Sequence, residues 1–212
     1  PRYMNMKSAA KNIIVTVFTV LARLALVMHK PKIIAVSGSV GKTGTKDAIY
    51  TVLKGTLSVW KSDKSYNSEI GLPLAILGLK NAWDNPWAWA GNFLKVLFTV
   101  FLNINYPRYL VLEAGSDRPD DIKNIVSWLK PDISVITRFG DIPVHVEFFK
   151  DRRELIDEDG KIVEALKKGG LAVLNQDDKD SLALKSKIKA RTVTYGFDES
   201  ATIVASNPQI LY

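Results

Sequence analysis

Cysteine is absent from the chain, and histidine occurs only twice in 212 residues. The lack of cysteine excludes a disulfide framework and a metal site built from thiolates, and it fits a reducing compartment. We therefore expect a cytoplasmic protein whose sites do without sulfur.

Nucleic-acid-binding motifs are also absent, although the formal net charge is +7. The basic residues are spread along the chain rather than gathered in one stripe, and no base-stacking motif accompanies them. The positive charge therefore suits anionic lipid or a phosphorylated substrate better than nucleic acid.

No internal repeat or low-complexity linker divides the chain, and 47% of its residues are hydrophobic. One main domain with a sizeable core is expected. Its β-like runs alternate with helical ones and are almost continuously apolar, which is typical of an α/β fold whose mostly parallel sheet is covered by helices on both faces. The predicted strands are Lys32 to Ser37, Tyr109 to Glu113, Ile133 to Thr137, Leu171 to Asn175 and Thr192 to Tyr195, and the predicted helices are 43–54, 70–79, 119–129, 151–167 and 178–187.

The stretch IIAVSGSVGKTGT places a glycine-rich loop after the first predicted strand. Gly38 and Gly41 let backbone N–H groups turn inward together, Lys42 adds a positive charge and Thr43 a hydroxyl that suits magnesium. The usual phosphate loop has a longer spacing, and Val36 stands where its first glycine should be. An ordinary strand-to-helix turn is the alternative, but the strand before and the helix after favour nucleotide binding. The predicted nucleotide contacts are Ser37, Gly38, Ser39, Val40, Gly41, Lys42 and Thr43.

Two apolar segments do not fit the alternation of strands and helices. The run from Ile13 to Met28 is not followed by the cleavage site of a secretory signal, and as a helix of about 24 Å it falls short of the bilayer core. The second segment has three tryptophans before an apolar helix from Phe93 to Leu102 that contains Lys95. This pattern is typical of a helix lying in a membrane surface. Packing of the two helices on each other, or on a further domain, is the alternative.

Four more stretches place polar residues at the ends of predicted strands or before a helix. Ligands of parallel sheets bind at the carboxyl ends of the strands, so these residues are candidates for the same site. They are Asn67 and Glu69 in KSYNSEIGLPLAIL, Glu113 in YLVLEAGSDRPDDI, His145 in KPDISVITRFGDIPVHVEFF, and Asn175 and Asp178 in GGLAVLNQDD. Together with VSGSVGKTGTKD, these five motifs in this order resemble the central, P-loop-containing ATP-binding domain of the Mur ligases, over about residues 31 to 205.

The resemblance implies a ligase of peptidoglycan precursor synthesis. In Mur ligases ATP phosphorylates a peptide carboxylate to an acyl phosphate, which the amine of an incoming amino acid or dipeptide attacks with release of phosphate. Within the family the likeness is to the addition of D-alanyl-D-alanine to a UDP-MurNAc-peptide, so these are the expected substrates. Another Mur-type ligase, or a non-catalytic membrane-associated ATP-binding module, is the alternative.

The resemblance also implies roles around the phosphates and the metal ions. Lys42 would hold the β- and γ-phosphates, with the backbone N–H groups of residues 39–43 around them. Thr43 and Glu113 would ligate one Mg²⁺, since both offer hard oxygen donors. His145 would lie at a second Mg²⁺.

The resemblance also implies contacts to adenine and to the nucleotide-sugar peptide. By family likeness Asn175, with Asp178 in the same run, would bind adenine. Asn67 and Glu69 would face the nucleotide-sugar peptide.

The chain departs from the family pattern at the histidine loop and after Glu113. Arg138 replaces an asparagine, and the loop FGDIPVH runs two residues longer before His145. Asp117 and Arg118 stand where Asn-His often occurs. A Mur-like scaffold without catalysis therefore stays open as an alternative.

Several Mur ligases carry a carbamylated lysine on the helix after the histidine loop, where it holds the second Mg²⁺. Aligned without a gap from His145, Asp159 stands at that position. Lys161 would point about 200° away on a helix, so it is a poor substitute. We expect Asp159 to be a catalytic residue and a direct or water-mediated Mg²⁺ ligand, and no carbamate to form. A solvated acidic face at residues 157–159 is the alternative.

The resemblance further implies domains beyond this chain. Mur ligases have an N-terminal domain for the uridine nucleotide and a C-terminal domain for the incoming amine. We expect an N-terminal apolar helix at residues 1–30 and a central domain at 31–212, with an apolar insertion at about 81–106 and an incomplete C-terminal end. Such a fragment is expected to bind ATP without ligating, at the inner face of the plasma membrane.

Overall fold

A computed structural model describes residues 2–62, 70–80, 85–102, 105–140 and 148–206, without the side chains of residues 2–12 and 86. Three of the residues singled out from the sequence, Asn67, Glu69 and His145, lie outside these ranges. Their predicted roles stay predictions.

Within the described residues, parallel strands form one sheet. The strands are β1 (Lys32–Ser37), β2 (Val59–Lys61), β3 (Tyr109–Glu113), β4 (Ile133–Ile136), β5 (Leu171–Asn175), β6 (Arg191–Gly196) and β7 (Ile203–Val204). Their order across the sheet is β2-β3-β1-β4-β5-β6-β7, and each neighbouring pair is parallel. The five predicted strands are confirmed, with bounds that differ by one residue at most. Sequence patterns missed β2 and β7, because edge strands of two or three residues are too short to show a periodicity.

Helices connect these strands at the predicted places. They are α1 (Arg2–His29), α2 (Lys42–Leu53), α3 (Gly71–Ile76), α4 (Pro86–Phe101), α5 (Asp121–Val126), α6 (Arg152–Glu164) and α7 (Lys179–Ala183). Side chains that accept backbone N–H groups begin three of them: Asn85 for α4, Asp151 for α6 and Asp178 for α7.

The core lies on both faces of the sheet because strand side chains alternate. On one face, Ile34 and Val36 of β1 pack with Val111 of β3 beneath α2. On the other face, Ile33 lies in a cluster with α1, α3 and α4, and Ala35 lies in a second cluster with α5 and α6.

The prediction of an apolar N-terminal helix needs correction. The predicted residues do form a helix, α1, but polar and basic residues such as Thr16 and Arg23 occur along its length. Only one side, with Phe18, Ala22 and Ala25, is buried in the core. Among the described helices, none has both the length and the apolar character needed to cross a membrane.

Tyr106 links the layer of α1, α3 and α4 together. Its ring stacks on His29 with centroids 4.3 Å apart, and its hydroxyl donates to the carbonyl of Ile76, at the end of α3, over 2.6 Å. Burial raises the pKa of this hydroxyl, so it stays a donor.

We expect Tyr106→Phe to lower the free energy of unfolding by about 1–3 kcal/mol, because the buried Ile76 carbonyl loses its partner. Urea unfolding monitored by circular dichroism measures the change. Tyr109→Phe is the matched control, since that half-buried hydroxyl has no partner among the described residues. Equal stability losses in both variants would contradict the assignment.

Candidate functional site

The candidate site lies where β1, β3 and β4 end. These three strands are neighbours, with β1 in the middle, and their carboxyl ends therefore bring three connecting segments together. Glu113 ends β3, the loop from Gly38 follows β1, and Thr137 and Arg138 follow β4. Gly38, Glu113 and Arg138 therefore lie at the same edge of the sheet.

The two loop glycines are required for different reasons. Gly38 has φ of +120°, and a Cβ there would lie 2.4 Å from Thr137 Oγ1. Both backbone conformation and space exclude a side chain. Gly41 has φ of +86° but open space around it, with only Thr137 Cβ at 4.0 Å. Gly41 is therefore required for its backbone conformation and not for lack of space.

The loop is tied to the end of β4 through main-chain atoms. The N–H groups of Ser39 and Val40 both donate to the carbonyl of Arg138, over 2.8 and 3.1 Å. Of the five amides expected around the phosphates, from Ser39 to Thr43, the first two are thus engaged within the protein, and the predicted nucleotide contacts stay predictions. The N–H groups of Ser39 and Val40 hold the loop against β4.

The remaining amides belong to the first turn of α2. N–H groups at a helix start have no acceptor within the helix, and among the residues that the structure describes no side chain caps α2. This end of the helix carries partial positive charge and suits a phosphate. Lys42 Nζ donates to the Gly38 carbonyl over 2.7 Å, which folds the ammonium group over the loop. The buried hydroxyls of Ser37 and Ser39 have no hydrogen-bond partner among the described residues, so polar groups are available for a ligand.

Glu113 is buried, with 1% of its side chain exposed, beside the first turn of α2. Thr43 Oγ1 lies 3.1 and 3.0 Å from its two carboxylate oxygens. Lys46 Nζ lies 3.4 Å from Oε2, and the Lys46 side chain is also 1% exposed. A buried carboxylate needs such partners, because its desolvation costs several kcal/mol.

Sequence reasoning missed Lys46. A signal was present, since Lys46 follows Thr43 by three residues and such a spacing places both side chains on one face of a helix. Lys46 also contacts Asp47 at 3.7 Å, and Lys61 donates to Asp47 over 2.9 Å. The hydrogen bond from Lys61 is the largest cause that lowers the pKa of Asp47. A chain of ion pairs thus runs from Glu113 through Lys46 and Asp47 to Lys61 on the edge strand β2.

Asp159 is buried on α6 rather than on a solvated face. Only 2% of it is exposed, and Oδ1 accepts from Ser116 Oγ over 2.8 Å and from Ser116 N over 3.2 Å. Burial raises the pKa of Asp159 to about 6, while those hydrogen bonds and the charge of Lys42 act to lower it. The alternative of a solvated acidic face fits Asp157 alone, because Glu158 is buried as well.

A polar cleft continues past the ends of β4 and β5. Its lining includes Arg138, Phe139, Arg152, Asp177, Asp178 and Asp180. The Asp178 carboxylate accepts the N–H groups of Phe139 and Asp180, so it fixes the two loops that form the cleft.

Asn175 stands at the end of β5. Its Oδ1 accepts from Asp177 N over 3.0 Å, and its Nδ2 has no partner among the described residues. Asn175 can therefore still contact a base, and the predicted nucleotide contacts of Asn175 and Asp178 stay predictions.

The described residues contain no group of three or more His, Asp or Glu side chains that could hold a metal ion by themselves. Glu113 and Asp159 are thus separate oxygen donors. The predicted second-metal ligand, His145, and the predicted substrate residues, Asn67 and Glu69, lie in the parts left undescribed.

We expect Lys46→Met to lower the free energy of unfolding by about 3–5 kcal/mol, because it leaves the Glu113 carboxylate buried without a countercharge. Adding Glu113→Gln removes that charge, so the double variant should be more stable than Lys46→Met. Urea unfolding of the wild type, both single variants and the double variant measures the coupling. Additive losses would contradict the ion pair.

The Mur ligase middle domain family matches residues 90–211 of the chain. The UDP-N-acetylmuramoyl-tripeptide–D-alanyl-D-alanine ligase of Rickettsia prowazekii is 28% identical over 200 residues, which cover 92% of this chain and 38% of that protein. The enzyme of the same name from Bacillus subtilis is 27% identical over 176 residues, which cover 83% and 32%. The chain therefore spans about a third to two fifths of the length of these relatives.

Solved structures agree with this match. A MurF ligase from Thermotoga maritima in complex with ADP has a TM-score of 0.66 and 29% identity, over 87% of this chain and 37% of that one. MurF from Acinetobacter baumannii has a TM-score of 0.69 at 19% identity, over 92% and 38%, and shows the fold alone. Since the family match covers more than half of the residues, this chain belongs to the Mur ligase family.

Proposed function

We propose that this chain is the ATP-binding part of an ATP-dependent ligase that adds D-alanyl-D-alanine to a UDP-MurNAc-peptide. One observation carries the proposal: Lys42 folds over a glycine loop, and in the first turn of the helix that follows, the exposed Thr43 hydroxyl donates to the buried Glu113 carboxylate. A phosphate chain and its metal ion need an anion cradle and oxygen ligands side by side. The reaction and its substrates are those in the names of the relatives.

The residues present fit Mg²⁺, which prefers oxygen ligands and keeps several waters. Thr43 and Glu113 would hold the ion. When bound, Mg·ATP would supply the γ-phosphoryl group that activates a peptide carboxylate as an acyl phosphate. The contribution of the chain would be charge neutralisation and alignment: Lys42 and the start of α2 would hold the phosphates, while Lys46 would keep Glu113 in position.

Another Mur-type ligase or a non-catalytic ATP-binding module is the alternative function. The replacement of an asparagine by Arg138 does not favour the non-catalytic module. Arg138 supports the loop through its backbone carbonyl, which any residue supplies. Formation of ADP that requires both a UDP-MurNAc-peptide and D-alanyl-D-alanine, in the longest natural form of the protein, would distinguish the ligase from a binding module.

We expect Lys42→Ala to weaken Mg·ATP binding more than tenfold, because charge-assisted hydrogen bonds contribute about 1.5–3 kcal/mol each. Isothermal titration calorimetry measures both affinities. Lys54→Ala, at the other end of α2, removes the same charge away from the loop and serves as control. Equal ATP affinities of Lys42→Ala and the wild type would overturn the assignment.

Asp159 is proposed as a direct or water-mediated Mg²⁺ ligand in place of a carbamylated lysine. Two observations support the role: Asp159 is buried beside Ser116, and it lies within the field of Lys42. Lys161 pairs with Glu158, so its ammonium group is engaged elsewhere.

We expect Asp159→Asn to raise the Mg²⁺ concentration needed for half-maximal ATP binding, because the amide carries no charge to attract the ion. Asp157→Asn, two residues earlier and paired with Lys187 at the surface, is the control. Bicarbonate should have no effect on either variant or on the wild type. A carbamate on Lys161 detected by mass spectrometry, or an unchanged Mg²⁺ requirement, would show the role to be wrong.

Location and domain boundaries belong to the same proposal. A cysteine-free chain fits a reducing compartment, and we propose a cytoplasmic protein at the inner membrane face. The boundaries at residues 30 and 31, and the insertion at about 81–106, stay predictions.

A further inference from the structure

Helix α4 turns its uncharged polar side chains, Asn92 and Thr99, toward the protein. Its buried positions are Asn92, Val96, Thr99 and Val100, a spacing that marks one face of a helix. Asn92 donates from Nδ2 to the Lys80 carbonyl over 2.9 Å. His29 of α1 donates from Nε2 to the carbonyls of Thr99 and Val100, over 3.0 and 3.2 Å. The inner face is therefore held in part by polar contacts.

The outer face of α4 is more apolar than the buried one. Its exposed large side chains are Trp87, Phe93, Leu94, Leu97, Phe98, Phe101 and Leu102, which are between 38% and 85% exposed. At about 100° per residue, Leu94, Phe98 and Phe101 point away from Asn92. A helix in a water-soluble domain normally has the reverse arrangement, and a contiguous apolar surface of this kind marks an interaction site.

The charged residues of α4 and of the neighbouring α1 are all basic. Lys95 is the only charged residue of α4 and lies at the margin of the apolar face, and α1 contains basic residues but no Asp or Glu. The two helices pack side by side, with the rings of Phe18 and Trp89 at 5.4 Å. The surface therefore combines exposed aromatic and aliphatic side chains with positive charge.

We propose that the outer face of α4 inserts into the headgroup region of an anionic lipid bilayer, with the helix axis lying along the membrane surface. At about 24 Å α4 is too short to span the hydrocarbon core, which leaves the interface as its place in a membrane. Lys95 is placed to reach the headgroups while its methylene groups follow the apolar face. A second copy of the chain fits less well, because a two-fold dimer would bring the same basic helices together.

Flotation with phospholipid vesicles tests the proposal on the chain as it exists. We expect binding to vesicles that contain phosphatidylglycerol, and weaker binding to phosphatidylcholine alone or at high salt. Leu94→Ser/Phe98→Ser should lower the partition coefficient at least tenfold, because two side chains no longer enter the lipid. Lys95→Gln should lower the partition coefficient about fivefold, and on anionic vesicles only, because one lysine near an anionic surface contributes about 1 kcal/mol to binding.

Phe197→Ser is the matched control, since Phe197 is also exposed but follows β6. It should bind vesicles like the wild type. All these positions are at the surface, and an unchanged melting temperature confirms that each variant folds. The ATP affinity of Leu94→Ser/Phe98→Ser should equal that of the wild type, so membrane binding is tested separately from nucleotide binding.

Three results would overturn the proposal. The first is a wild-type chain that stays in the soluble fraction with anionic vesicles. The second is a Leu94→Ser/Phe98→Ser variant that floats as well as the wild type. The third is a dimer, measured by light scattering, that the same double variant converts to a monomer, because the face would then bind a second copy.

Discussion

The buried carboxylate of Glu113 is the constraint around which the site is organised. A charge at this depth is tolerated only with close polar partners, and both of its main partners, Thr43 and Lys46, come from the first turns of α2. This requirement fixes the rotation of α2 about its axis. It therefore also fixes the direction in which the uncapped start of α2 points, which is the property that suits a phosphate.

The neighbours of β1 hold the loop from two sides. On the β3 side the contact is ionic and buried, through Glu113. On the β4 side the contact is made by the backbone, since the Arg138 carbonyl accepts two loop N–H groups. The Thr137 side chain leaves no room for a Cβ atom at Gly38. The site is thus built from the sheet outward, and the apolar face of α4 lies on a layer that does not contribute to it.

Patterns in the sequence predict the central strands and the loop because these are local signals. Apolar runs mark β1, β3 and β4, and positive-φ positions demand Gly38 and Gly41. The partners of Glu113 depend on packing: Lys46 and Thr43 meet it only once α2 lies on the sheet. The bonds from the amides of Ser39 and Val40 to the Arg138 carbonyl also depend on packing, since Arg138 is about 100 residues further along the chain. For Asp159 the sequence left a solvated acidic face open beside the expected role as a Mg²⁺ ligand, and only the docking of α6, which buries Asp159 against Ser116, excludes that alternative.

The central claim is that a metal–nucleotide complex lies between the start of α2 and the buried carboxylate. X-ray diffraction at the manganese edge, on crystals grown with Mn²⁺ and a non-hydrolysable ATP analogue, tests it most directly. The predicted result is an anomalous peak bound to Thr43 Oγ1 and to Glu113, directly or through one water, with the analogue's phosphates against the first turn of α2. A manganese ion remote from both residues, or a nucleotide bound elsewhere on the sheet, would contradict it.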